Sequence, residues 1–243
     1  MIVKVTVMYD GSSFYGWQRQ PKLHSVQEEI EKAISKIAKT PLTIQGSGRT
    51  DAGVHALGQV FHFETTLDMP AHAWKIAINN FTSDAIVIVD AEIAPDDFHA
   101  RFSAKGKLYE YKLNMGPYNP FERHLVYQLG KQLDVEAMRD AMEVFLGTHD
   151  FTTYNNTRLD FNEHQVRTIH SFELIQDGDH LTFRIHGNGF LRYMVRMLVA
   201  TIVACGMGKT TKEQIKINLE KKDKQASKYN IDSCGLYLVK VYY

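Results

Sequence analysis

Cysteine is nearly absent from this chain. Cys205 and Cys234 are its only two, far apart and in no Cys-x-x-Cys spacing. That excludes a disulfide framework and a cysteine zinc site, and makes a reduced, cytoplasmic setting the expectation. The eleven histidines form no His-x-x-x-His or Cys/His cluster, and His149-Asp150 stands as an isolated pair, so no metal is expected. Gly187-Asn188-Gly189 stops short of a Gly-x-Gly-x-x-Gly fingerprint, and no phosphate-binding ATPase loop occurs. No apolar run approaches a membrane span. Met1-Ile2-Val3-Lys4-Val5 lacks the basic start and apolar run of a secretory leader. Net charge is zero, with 28 Lys and Arg against 28 Asp and Glu, so an overall basic footprint for nucleic acid is missing. Local basic groups remain at Arg49, Arg101, Lys105, Lys107 and Lys112, and at Arg192 and Arg196. A third group, Lys221, Lys222 and Lys224, reads as solvated surface.

What is present is a core-forming chain of 243 residues, 44% hydrophobic and 23% charged, which is ordinary for a globular protein. Val3, Val5, Val7 and Tyr9 alternate with Lys4, Thr6 and Met8 and predict a strand. Ser25-Val26-Gln27-Glu28 is a capping box, followed by helical spacing through Ile30, Ala33, Ile34 and Ile37 up to Pro41. Strands are predicted over 42–45, 60–63 and 85–89, with a helix opened by Pro70 through Trp74, Ile78 and Phe81. Beyond a boundary near residues 104–107, the pattern predicts a strand over 107–113 and a helix capped by Asp134 that carries Phe145 and Leu146 to Gly147. A hairpin at Asp177-Gly178 joins strands 169–175 and 181–185. An apolar helix from Met194 to Gly206, a short helix capped by Thr210 or Thr211, and a last strand over 236–243 complete the pattern. These elements predict an α+β protein of mostly antiparallel strands in two related halves, 1–104 and 105–243, sharing a sheet.

Gly48-Arg49-Thr50-Asp51-Ala52-Gly53-Val54-His55-Ala56 sets one carboxylate beside a cation in a glycine-rich loop. Two readings of Asp51 stand open on these residues. It is a turn aspartate bonding its own backbone, or an ionised nucleophile or base. Arg49 and Arg196 offer rigid forks for a carboxylate or phosphate. Arg196 lies on an apolar helix, where it either has a partner or snorkels outward. Tyr109 and Tyr111 share a strand face; Tyr111 reads as core, and Tyr109 as core or as a platform for a nucleobase.

Taken in order along the chain, these segments resemble the tRNA pseudouridine synthase A family. The Gly48–Ala56 loop is similar to its signature. Tyr9-Asp10-Gly11 with Phe14 and Gly16-Trp17-Gln18-Arg19-Gln20 resembles its N-terminal segment. Phe98-His99-Ala100-Arg101-Phe102-Ser103-Ala104, with Tyr109-Glu110-Tyr111, resembles its central motif. Gly147-Thr148-His149-Asp150-Phe151, Gly189-Phe190-Leu191 with Met194-Val195-Arg196, and Gly235-Leu236-Tyr237-Leu238 complete the series. The resemblance implies two ferredoxin-like halves around one extended sheet, a homodimer, no cofactor, and tRNA as partner, with uridines of the anticodon arm at tRNA positions 38 to 40 as substrate. It implies Asp51 as the catalytic aspartate, Tyr109 against the uracil, Arg196 paired with Asp51, Arg49 holding the base out of its stack, and Leu236 lining the pocket.

The chain departs from the family pattern at two turns. Asn80-Phe81-Thr82-Ser83 stands where Leu-Pro is usual, and Asn230-Ile231-Asp232-Ser233-Cys234 replaces an alanine- and proline-rich turn. The rival readings are an RNA-binding paralogue without activity and a carboxylate-dependent nucleosidase. The second needs another acidic group, and none is evident in sequence near Asp51.

Overall fold

The computed structural model describes residues 1–157 and 164–243. In chain order its elements are β1 (Ile2–Tyr9), α1 (Val26–Ala38), β2 (Gln45–Gly46), β3 (His55–Glu64), α2 (Ala71–Asn79) and β4 (Ile86–Ala94). There follow β5 (Gly106–Asn114), β6 (Tyr127–Gln128), α3 (Val135–Met142), β7 (Gly147–Asp150), β8 (Val166–Asp177) and β9 (His180–Gly187). The series closes with α4 (Met194–Gly206), α5 (Lys212–Lys221) and β10 (Leu236–Tyr242). The class is α+β, and antiparallel pairing dominates. Two compact units are formed, one by Met1–Lys105 with Tyr237–Tyr243 and the other by Gly106–Leu236. Among the described residues no helix is long and apolar enough to cross a membrane.

In the first unit the strands run β4-β1-β3-β10. β1 pairs antiparallel with both β3 and β4, and β10 pairs parallel with β3 at Tyr237–His55 and Leu238–Ala56. The alternation read in β1 holds, since Val3, Val5 and Val7 are fully buried. Burial of such a side chain contributes about 1.5–3 kcal/mol. α1 turns Val26, Ile30, Ala33 and Ile34 into the same core. Its cap is Ser25, whose hydroxyl accepts from the Glu28 N–H. The Glu28 carboxylate pairs with Lys32, one turn on. Trp74 of α2 is fully buried and meets Phe63 edge to face, with ring centroids 4.9 Å apart.

Two local expectations in this unit are corrected. Residues 42–44 are not a strand. Their backbone donors are taken by α1 side chains: Leu42 N donates to Ser35 Oγ and Ile44 N to Glu31 Oε1. The segment therefore lies along a helix and only Gln45 and Gly46 join the ladder, against His62 and Phe61. Phe81 lies beyond the end of α2 and is exposed, with the Lys36 ammonium 4.2 Å from its ring centre.

The second unit orders its strands β5-β9-β8-β7, all antiparallel, with β6 added parallel to β5. Gly178 takes a φ of +56° in the β8–β9 turn, as the Asp-Gly pair predicts. α4 buries nearly its whole length. Gly206 admits α3 at close quarters, because a Cβ there would lie 2.5 Å from Met138 Sδ. Asp134 caps α3 by accepting from the Ala137 N–H. α3 ends at Met142 and passes through a single 3-10 turn to Phe145, so Leu146 is off the helix and exposed. Thr211 is the α5 cap, accepting from Gln214 N–H.

Candidate active site

Asp51 sits in the loop between β2 and β3, and that loop is held from two sides. Its entry is tied to β3 itself. Ser47 N donates to Val60 O at 2.7 Å, and Ser47 Oγ donates to Gln59 Oε1 at 2.6 Å. The Gln59 amide, wholly buried, then donates to Gly48 O at 3.1 Å. The middle of the loop is held by the segment that follows β1. Trp17 N donates to Thr50 O at 3.1 Å, Tyr9 and Thr50 hydroxyls bond at 2.8 Å, and Gly53 N reaches Phe14 O at 3.4 Å. The loop also closes on itself, with Val54 N donating to Asp51 O at 3.2 Å. Burial pushes the Tyr9 phenol well above its ordinary range, so it remains a neutral hydrogen-bonding group.

Glycine is required where the two segments meet. A Cβ on Gly11 would lie 2.0 Å from Val54 O, and one on Gly16 would lie 2.7 Å from Thr50 O. Gly16 also takes a φ of +87°, which L side chains rarely adopt. Gly11 N donates to His55 Nδ1 at 3.1 Å, and the His55 ring stacks on Tyr237 at 4.6 Å. The backbone on both sides of Asp51 is thus specified by residues 9–17, a role the sequence reading did not give them. The glycines at 11 and 16 were the available signal, since each marks a close backbone approach.

Asp51 is half-buried in this frame. Arg49, two residues earlier, is exposed and donates from Nε to Gln18 Oε1 at 3.0 Å. Gln18 is in turn held by Gln27 of α1 at 2.7 Å. The guanidinium therefore stands at the surface on a braced stem.

The remaining residues singled out by sequence lie in the second unit. Tyr109 of β5 is opposite Ile185 of β9 and meets Phe190 edge to face, with ring centroids 5.2 Å apart. Tyr111 is fully buried and its hydroxyl donates to Asp232 O at 2.8 Å, which makes it core. Arg196 lies in the first turn of α4 and does not snorkel. It is half-buried, its Nε donates to Ile231 O at 2.7 Å, and its guanidinium carbon lies 4.8 Å from the Tyr193 ring centre. Leu236 is buried and its N–H donates to Ser233 O. Gly235 before it is forced by proximity, because a Cβ there would lie 2.4 Å from Lys112 O. One short segment, 231–236, thus ties Arg196, Tyr111 and Leu236 together. Among the described residues no three His, Cys, Asp or Glu side chains converge as a metal set.

The tRNA pseudouridine synthase family matches this chain over residues 5–103 and 141–243. The "tRNA pseudouridine synthase A" of Anoxybacillus flavithermus is 42% identical over 242 residues, covering 99% of this chain and 98% of that protein. The protein of the same name from Exiguobacterium is 43% identical over 241 residues, covering 99% of this chain and 97% of that protein. That of Bacillus subtilis is 42% identical over 246 residues, covering 100% of this chain and 99% of that protein.

Proposed function

Because the chain belongs to the tRNA pseudouridine synthase family, we propose that it converts uridine to pseudouridine in the anticodon arm of tRNA, at positions 38 to 40, with Asp51 as the catalytic carboxylate. The enzyme is an isomerase. The N1–C1′ bond breaks, the uracil turns, and C5 joins C1′. The proton that leaves C5 is balanced by the one N1 gains, so no atom is added and no electron is lost.

A base stacked in a stem cannot turn, so the target nucleotide is first flipped out. Tyr109 is assigned the ring that replaces its lost stacking, and Leu236 an apolar wall. Arg49 holds the displaced base from returning. Asp51 acts in its ionised form, by adding to uracil C6, attacking C1′ or removing the 2′ proton. All three routes need the anion, and Arg196 is assigned the cation that favours it. The observation that carries this reading is the doubly anchored loop. A reacting carboxylate has to be held within about 0.5 Å of its productive place, and residues 9–17 and Gln59 supply that constraint.

The test is direct. Unmodified tRNA transcripts are incubated with the protein, and pseudouridine is mapped by carbodiimide-stop sequencing, with tritium release from C5-labelled uracil as the rate. Stops in the anticodon arm are expected, absent with Asp51→Ala although tRNA binding persists. Stops elsewhere overturn the substrate assignment, and near-normal turnover by Asp51→Ala overturns the assignment of Asp51. The proposal also places the protein in the cytoplasm as a homodimer, which light scattering at working concentration checks.

A further inference from the structure

Arg49 is exposed, yet a chain of side chains ties it to a buried carboxylate within the first unit. That carboxylate is Glu31 of α1, only 5% exposed, which is rare for an acidic residue unless it is paired. Three donors meet it. Gln27 Nε2 and Ile44 N reach Oε1 at 2.9 and 3.1 Å, and Arg19 Nη1 reaches Oε2 at 3.3 Å. Gln27 lies one turn before Glu31, and its Nε2 also donates to Ile44 O at 3.4 Å. Its Oε1 accepts from Arg19 N at 3.0 Å and from Gln18 Nε2 at 2.7 Å. Gln18 Oε1 then accepts from Arg49 Nε at 3.0 Å.

The direction of this relay is dictated from its ends. A carboxylate only accepts, a guanidinium only donates, and a glutamine amide has one side of each kind. Glu31 and Ile44 O take the Gln27 amide nitrogen, so its oxygen faces Arg19 N and Gln18. That oxygen takes the Gln18 amide nitrogen, so the Gln18 oxygen faces Arg49. Turning Gln27 over would set acceptor against acceptor at Glu31 and donor against donor at Arg19 N. Turning Gln18 over would set donor against donor at Arg49. We propose that Gln27 and Glu31 are positioning residues, which act through Gln18 to hold Arg49 in the pose that keeps the displaced base out of its stack. The inference rests on the proposed function for what Arg49 does. A surface arginine otherwise samples many rotamers, and ordering it as tRNA docks weakens binding. A stem already ordered by the fold avoids that loss. Adjacent residues thus divide the work, since Trp17 N holds Thr50 while Gln18 holds Arg49.

The test uses the full chain and two readings. One is water exchange of the Arg49 Nε–H in a proton–nitrogen correlation spectrum, its signal identified by loss in Arg49→Lys. The other is kcat/KM on an unmodified tRNA transcript. Gln27→Met is expected to speed the exchange and lower kcat/KM, each about 3- to 10-fold, the worth of one hydrogen bond. In an Arg49→Ala background Gln27→Met is expected to change kcat/KM no further, because the two act as one unit. Adding Gln18→Glu to Gln27→Met is expected to slow the exchange again, since a carboxylate accepts from either oxygen and needs no orienting. Wild-type exchange in Gln27→Met overturns the proposal, as does an undiminished loss of kcat/KM in the Arg49→Ala background or a failure of Gln18→Glu to rescue. Should Gln27→Met not fold, Gln18→Met cuts the last link nearer the surface and gives the same two readings. If the wild-type protein forms no pseudouridine in any transcript, the proposed function fails; the exchange of Arg49 Nε–H still decides the relay.

Discussion

Replacing Gly16 with alanine perturbs the Asp51 loop without replacing a residue that meets substrate. The new Cβ would sit 2.7 Å from Thr50 O and 3.0 Å from the Asp51 carbonyl carbon. Ordinary contact begins at 3.4 Å, so the backbone around Asp51 has to retreat by about 0.7 Å, given the close packing of such interiors. A misplacement of about 1 Å at a reacting group costs on the order of 100-fold in rate. We therefore expect kcat for pseudouridine formation to fall roughly 10- to 100-fold, with tRNA affinity little changed. The φ of +87° adds strain of about 1–2 kcal/mol for an L residue. In a chain of this size that lowers Tm by roughly 2–8 °C. Gly178→Ala is the matched control: φ is +56° and nothing lies within 4 Å of its added Cβ. It carries similar strain and meets no backbone. Single-turnover tritium release, with Tm measured in parallel, separates the two effects. If Gly16→Ala turns over as fast as Gly178→Ala, the claim that residues 9–17 place Asp51 is wrong.

The other predictions concern stacking and acid stability. Tyr109→Phe is expected to keep most of the rate. Tyr109→Ala is expected to lose stacking of about 1–3 kcal/mol per base, or roughly 5- to 150-fold; equal losses in both variants, at matched folded fractions, would assign the work to the hydroxyl instead. His62 is buried, accepts the Ala100 N–H on Nδ1 at 3.1 Å, and faces the His99 ring at 4.7 Å. Burial, then the charge on His99, lowers its pKa below the ordinary 6.5, against opposing pulls from the Gln45 backbone and Glu64. The unfolded chain therefore takes this proton first. Stability is full above pH 6.5 and falls as pH drops through the folded pKa. Tm followed from about pH 7 to about pH 5 should decline less steeply in His62→Asn than in wild type; parallel declines would remove His62 from the acid response.

Much of the fold was legible because local signals and tertiary packing agreed. Ser25, Asp134 and Thr211 cap helices as their side-chain chemistry dictates, and Asp177-Gly178 turns its hairpin. The misses have identifiable competitors. Leu42 to Ile44 reads as a strand by composition, but Ser35 and Glu31 take its backbone donors, a contact that strand propensity does not encode. Phe81 and Leu146 continue an apolar spacing past the point where their helices stop. At the site, Asp51 and Arg49 were visible as chemistry in a glycine-rich loop. The brace for that loop was not, because Tyr9 and Gln59 act through side-chain hydrogen bonds and Gly11, Gly16 and Trp17 through backbone contacts, none of which carries a periodicity. The choice between partnered and snorkelling for Arg196 depended on Ile231, far along the chain, and only the fold brings the two together.

The parallel pairing of Tyr237 and Leu238 with His55 and Ala56 also sets an order of assembly. All of the second unit except its last residue, Leu236, lies between the two strands in sequence. On a ribosome, the strand that leaves the Asp51 loop waits with part of its edge unpaired while that unit is synthesised. Closing so long a loop is among the slow steps of folding, and domains emerging N-terminal first normally finish first. Here the unit that begins first is completed last. Its unpaired edge is a nascent-chain hazard, and the arrival of β10 both removes that hazard and seats Tyr237 on His55. Final shaping of the Asp51 frame is thereby deferred until the second unit has been made.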